Sequence, residues 1–259
     1  MILEAGFGSD SAGWEPFQRE LAQLTRVCRY DRAGLGQSPA PESARTAADQ
    51  ADELAATLDA AGIAPPYVVA GHSYGGILAR VYAHRHRGDV VGIVLADTPH
   101  PDERDQYLAV LPDSSDPVVQ RLRAQLTAPF GPETNPERVD WDASMAEARQ
   151  ARRLGDLPVV VITAGRAGPT AVEGLDPKLA QELEEVRMEL QREHARLSGN
   201  AVHVVATESG HAVPDRRSGA PEVLRQAIEA VVRSSRLHVP LPACEALFSG
   251  PRARCVPTG

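Results

Sequence analysis

The 259 residues carry 35 acidic against 27 basic side chains, a net charge of −8, with no long run of either sign, which argues against a surface built for nucleic acid or an anionic membrane. At 42% apolar content the chain can bury one large core, so a single α/β domain with an insertion is expected rather than two full domains. The longest apolar strings, such as Val90 to Ala96, fall short of the roughly 18 residues a membrane span needs, and Met1 to Gly6 has neither the basic segment nor the apolar stretch of an export signal.

In chain order, Met1 to Glu4 predicts a strand and Ala5-Gly6-Phe7-Gly8-Ser9 a glycine-rich loop. Trp14, Phe17 and Leu21 at helical spacing predict a helix over Ser11 to Leu24. Arg26 to Tyr30 follows as a strand, with Cys28 a small buried hydrophobe, and Asp31 to Ser38 as a second glycine-bearing loop. Ala47, Ala51, Leu54 and Leu58 mark one face of a helix over Ala44 to Ala61, with Gly62 at its cap. Tyr67 to Ala70 predicts a strand, and Ile77, Leu78, Val81 and Tyr82 recur at helical spacing, so Gly71-His72-Ser73-Tyr74-Gly75 sits on a strand-to-helix turn.

Val90 to Ala96 reads as a strand covered on both faces, ending at Asp97. Residues 99–156 lack a strand pattern and predict a helical insertion, with helices around Asp102 to Leu111, Val118 to Leu126 and Asp140 to Leu154. Val159 to Thr163 resumes the sheet, Leu175 to Leu197 is a long amphipathic helix, and Ala201 to Ala206 is the last strand, with His211 in the loop beyond it. Val223 to Val232 is a closing helix, and residues 237–259 read as an irregular tail. Strands alternating with helices predict a mostly parallel, doubly wound sheet, its core formed by residues 1–98 and 157–236. In such sheets ligands meet the carboxyl ends of the strands, where Ser73, Asp97 and His211 all fall.

The turn at Ser73 explains its own residue types. So tight a reversal strains the central residue, and only glycine fits beside it without colliding with the strand or helix. Ser73 is pushed to the tip, at a helix N-terminus that favours negative charge. A serine hydroxyl needs a base at neutral pH, imidazole has the nearest pKa, and an acid must hold that imidazole in the right tautomer.

Gly71-His72-Ser73-Tyr74-Gly75, the run Tyr30-Asp31-Arg32-Ala33-Gly34-Leu35-Gly36-Gln37-Ser38 and Ser209-Gly210-His211, in this order and spacing, resemble the α/β-hydrolase superfamily, over roughly Met1 to Arg236. Within it the chain is similar to small bacterial serine hydrolases with a helical cap. The resemblance implies Ser73 as nucleophile, His211 as base, and the backbone N–H groups of Phe7 and Tyr74 as the oxyanion hole. It implies Asp97 as the acid, in the position a minority of the family uses, with Glu173 or Asp176 as alternatives. Ala5 stands where the family commonly has histidine, and the family's first two strands have no counterpart. That second departure would leave a sheet edge exposed, so a start further upstream, a homodimer or another partner covering the edge is expected.

The implied function is hydrolysis of a small-molecule carboxylic ester or lactone through an acyl-enzyme, without cofactor. A thioesterase or acyltransferase with the same triad, or a non-catalytic ligand-binding relative, are the alternatives. With 4% aromatic residues, an aliphatic-lined site is expected. The glycine loops lack the lysine of a phosphate cradle and dinucleotide spacing. Asp31, Gly34, Gly36 and Ser38 read as a fold-building turn, His72 as a motif filler, and His84 and His86 are too few for a metal site. None of the three cysteines has zinc spacing. Cys244 and Cys255 flank a short tail; without a bridge the protein is expected in the cytoplasm, and with one it is an exported protein.

Overall fold

A computed structural model describes residues 1–217 and 219–258. In chain order it contains β1 (Ile2–Glu4), α1 (Glu15–Leu21), β2 (Cys28–Arg29), α2 (Ala47–Ala60), β3 (Tyr67–His72), α3 (Tyr74–Arg85) and β4 (Val90–Ala96). There follow α4 (Glu103–Val110), α5 (Pro117–Thr127), α6 (Trp141–Gln150), β5 (Val159–Ala164), α7 (Pro177–Ala195), β6 (Ala201–Ala206), α8 (Pro221–Leu237), α9 (Cys244–Leu247) and β7 (Ala253–Val256). The strands form one sheet in the order β2-β1-β3-β4-β5-β6-β7, parallel throughout except for β7.

Alternation along each strand feeds two apolar layers. Val94 and Ala96 of β4 and Val160 and Ile162 of β5 face Phe17 of α1 and Leu224, Ile228 and Val231 of α8. Ile93, Leu95, Val159 and Val161 face α2, α3 and α6. Both faces of the central strands are thus dry, which is why they read as continuous apolar runs. The chain begins α2 with a reciprocal cap, in which Thr46 accepts from the Asp49 N–H and the Asp49 side chain accepts from the Thr46 N–H.

Two expectations need correcting. The tail is not irregular: α9 packs there, and β7 runs antiparallel to β6 with Val204 opposite Cys255. Only Val256 of β7 is buried, so no alternation marks the strand in the sequence; the edge of β6 and the Cys244–Cys255 disulfide define it instead. Cys28 is half-buried rather than buried, because β2 is two residues long and forms the far edge of the sheet. Among the described residues no helix is long and apolar enough to cross a membrane.

Candidate active site

The parallel strands bring their carboxyl ends to one rim. There Ser73 links β3 to α3 in a left-handed conformation, φ 53° and ψ −126°, that non-glycine residues adopt only under constraint. The constraint is visible on both sides. A Cβ on Gly71 would lie 2.2 Å from the Gly75 carbonyl oxygen, and one on Gly75 would lie 2.4 Å from that of Glu4. The serine N–H donates to the Ala96 carbonyl at 2.9 Å, tying the turn to the end of β4.

His211 and Asp97 complete a hydrogen-bonded chain with Ser73. His211 Nε2 lies 3.1 Å from Ser73 Oγ, and its Nδ1 lies 2.7 Å from Asp97 Oδ2. Asp97 also has a positive φ, 46°, which makes it a second constrained residue, at the end of the neighbouring strand. Its other oxygen accepts from the Ala164 N–H at 2.9 Å and lies 3.5 Å from Arg187 Nη1. The Asp97 side chain is 8% exposed and that of His211 55%, so the carboxylate is fixed inside while the imidazole meets solvent and substrate. The hydrogen bond that its Nδ1–H donates to Asp97 raises the His211 pKa, partial burial opposes it, and Arg187 pulls it slightly back. Glu173 is exposed, and Asp176 caps α7 by accepting from the Leu179 N–H; neither contacts His211.

The loop after β1 lies beside the turn, since a Cβ on Gly6 would lie 3.5 Å from Ser73 Cβ, and α3 starts directly after it. Among the described residues the Phe7 N–H makes no hydrogen bond, and the Tyr74 N–H opens α3, where no intrahelical acceptor exists. The Phe7 loop is clamped from beneath. Buried Arg32 donates to the carbonyls of Ala5 at 2.7 Å and Gly6 at 2.8 Å and pairs with Glu137 at 2.7 Å, while Glu137 also accepts from the Gly8 N–H. His72 holds the opposite side, its Nε2 2.7 Å from the His211 carbonyl oxygen, so that it donates there. Burial lowers the His72 pKa to about 4, which keeps it neutral.

Ser73 and His211 open into a cavity of about 450 Å³ whose far wall is α4, α5 and α7. Leu111, Leu122, Leu126 and Leu183 supply aliphatic surface there, but Trp141 and Tyr107 line it as well. The site is therefore not aliphatic throughout. Overall composition says nothing about where the few rings gather.

The sequence profile of the alpha/beta hydrolase family matches residues 1–226. The chain belongs to the alpha/beta hydrolase family. Among its relatives, the uncharacterised protein YqjL of Bacillus subtilis is 27% identical over 166 residues, 64% of this chain and 61% of that protein. An AB hydrolase superfamily protein of Gibberella zeae is 37% identical over 101 residues, 38% of this chain and 31% of the other. The chain thus spans less than two thirds of the length of these relatives. Among solved structures, a thermophilic esterase from Thermogutta terrifontis superposes with TM-score 0.58 at 22% identity, covering 90% of this chain and 89% of that one. A monoacylglycerol lipase from Paleococcus ferrophilus gives 0.57 at 14%, covering 90% and 93%. At such identities the likeness is one of fold.

Within this alpha/beta hydrolase, several residues around the rim escape a reading of the sequence. Arg32 lies inside the Asp31 to Ser38 loop, where only the turn-forming residues draw notice; Glu137 is a lone acid in the insertion and gives no signal. Arg187 does give one, as a charge on the apolar stripe of α7 between Leu183 and Leu190, all three of them buried. The set with metal-ligand chemistry among the described residues is His100, Asp102 and Glu193, whose ligand atoms lie within 4.8 Å of one another. Arg80, Arg149 and Arg152 line the same recess, and burial followed by Arg80 lowers the His100 pKa to about 4, so the local field opposes a cation.

Proposed function

We propose that this chain is a serine hydrolase that cleaves a carboxylic ester, lactones included, through an acyl-enzyme. The observation that carries the reading is the unbroken chain from Ser73 Oγ through His211 to buried Asp97, set at a strained turn. Ser73 Oγ attacks the carbonyl carbon as His211 Nε2 takes its proton, and Asp97 stabilises the resulting imidazolium. The oxygen that becomes negative accepts from the N–H groups of Phe7 and Tyr74, helped by the N-terminal end of α3. His211 then returns the proton to the departing alcohol, and a water activated by the same imidazole releases the acid.

The α4–α6 segment serves as a cap that roofs the pocket and selects the substrate, a reading supported by its side chains on the cavity wall. The Cys244–Cys255 bridge supports an oxidising compartment as the place of work. A fluorophosphonate probe is expected to label the folded protein at Ser73, and a chain-length panel of p-nitrophenyl esters to be turned over. Absence of label on folded protein, with no ester consumed, would remove the reading.

A further inference from the structure

A second cavity of about 390 Å³ adjoins the one at Ser73, and Pro99, Glu103, Gln125, Leu126 and Trp141 line both, as the wall the two chambers share. The helical period of α4 explains how an acid comes to stand there. Glu103, Tyr107 and Leu111, four residues apart, share one face of the helix and all line the first cavity.

The ion pairs around this shared wall leave one acid out. Arg187 is engaged by Glu184, by Asp97 and by the Ala164 carbonyl. In the second chamber Arg104 pairs with Asp142 and Asp105, and Arg149 with Asp102 and Asp105. Every cation lining the two chambers therefore already has a carboxylate. Among the described residues Glu103 has no cation within ion-pair distance; its carboxylate is reached by the His100 backbone N–H. Desolvation at the half-buried cavity wall first, and then the charge of Asp97, push its pKa up to about 7, against the opposing effects of that N–H and of the Arg187 and His211 charges. A positive group brought into the cavity would add to these in favouring the charged form and would give the carboxylate a direct partner.

Rings supply the other half of a cation site. Phe7, Tyr107, Phe130 and Trp141, four of the chain's eleven Phe, Trp and Tyr residues, line these two chambers. Phe130 and Trp141 meet at 5.4 Å between ring centres, and Phe7 touches both. Aromatic faces attract a weakly hydrated cation, and an adjoining carboxylate gives that attraction its sign selectivity. A neutral hydroxyl donor would satisfy one oxygen of Glu103 and leave its charge uncompensated.

We infer that Glu103 and Trp141 form a recognition site for an ammonium group, so that the ester taken at Ser73 bears a cationic amine in one of its two arms. This rests on the serine hydrolase reading for its chemistry, but the recognition can be measured without turnover. In Ser73→Ala protein, titrate Trp141 fluorescence with choline and with its neutral isostere, 3,3-dimethylbutan-1-ol; Trp14 lies buried in the other apolar layer. Choline should bind at least about tenfold more tightly, Glu103→Gln should bring the two within about twofold, and Glu103→Asp, which keeps the charge, should retain a preference above about threefold. Equal binding in the parent, or a preference that survives Glu103→Gln, overturns the inference.

The catalytic arm compares kcat/KM for butyrate esters of the same two alcohols in protein with Ser73 intact. A preference for the choline ester that falls with Glu103→Gln supports the inference. A higher rate on the neutral ester, beside ordinary labelling of Ser73, overturns it while the hydrolase stands. Choline preference in the fluorescence arm without any labelling of Ser73 supports the ammonium site and removes the hydrolase.

Discussion

Two helices come to the same rim in different ways. α3 buries ten of its twelve residues, from Tyr74 to Ala83, whereas α4 buries none of its eight and α5 only Val119 of its eleven. The first is core on every side and presents a backbone end to the reaction. The others are thin walls that present side chains. Groups with many buried neighbours resist displacement, and exposed helices open at low cost, so the function proposed above would fix chemistry on the first and leave choice of substrate to the second.

The division predicts that rim substitutions abolish the rate and wall substitutions redirect it. Ser73→Ala should lose on the order of 10⁴-fold or more in kcat/KM, measured on any ester the protein accepts, because triad members act as a unit. Asp97→Asn should lose roughly 10³-fold. Its remaining oxygen keeps the Ala164 N–H and faces Arg187, so the amide NH₂ is turned to His211 Nδ1. That nitrogen must then accept, the proton moves to Nε2, and the imidazole can no longer take one from Ser73. Near-normal activity in this variant would show that another acid holds His211.

On the wall, Leu126→Trp should act differently. Leu126 lines both chambers, and an indole there takes up room on the wall they share. Selectivity is expected to move toward short acyl chains, with kcat/KM for a long-chain ester falling about tenfold relative to a short one, the scale on which apolar pockets discriminate. A uniform fall across the chain-length panel would mean that the wall carries chemistry as well.

How much of this was legible beforehand follows the same line. The strands, the turn at Ser73 and the loop of His211 could be read because each is imposed locally, by β-branched runs and by glycines that nothing else can replace. Asp97 could be placed at the end of β4 by its own pattern but joined to His211 only through the family resemblance, since nothing in the sequence between them, a separation of 114 positions, marks that contact. Glu103 could not be read at all. It belongs to a short, polar helix whose orientation is set by packing of Leu111, Val119 and Leu183 in a small cluster of its own. β7 was hidden for a related reason, because its strand pairing is supplied by β6 rather than by its own pattern.

Arg187 is where the two regions touch, and it carries the smallest expected effect. Its guanidinium lines the cavity, yet it also faces Asp97, with Glu184, Glu103 and Tyr107 as the other ionisable groups around it. The positive charge disfavours protonated His211, while Asp97 favours it. The base works only when neutral, so the rate falls as pH drops through the His211 pKa. Removing the positive charge with Arg187→Met raises that pKa, and the acidic limb of the kcat/KM profile should move to higher pH, with Arg187→Lys restoring most of the difference. A limb that stays fixed while KM changes would assign Arg187 to the wall alone; a limb that moves with little change in KM would make it part of the rim, acting through the carboxylate that orients the imidazole.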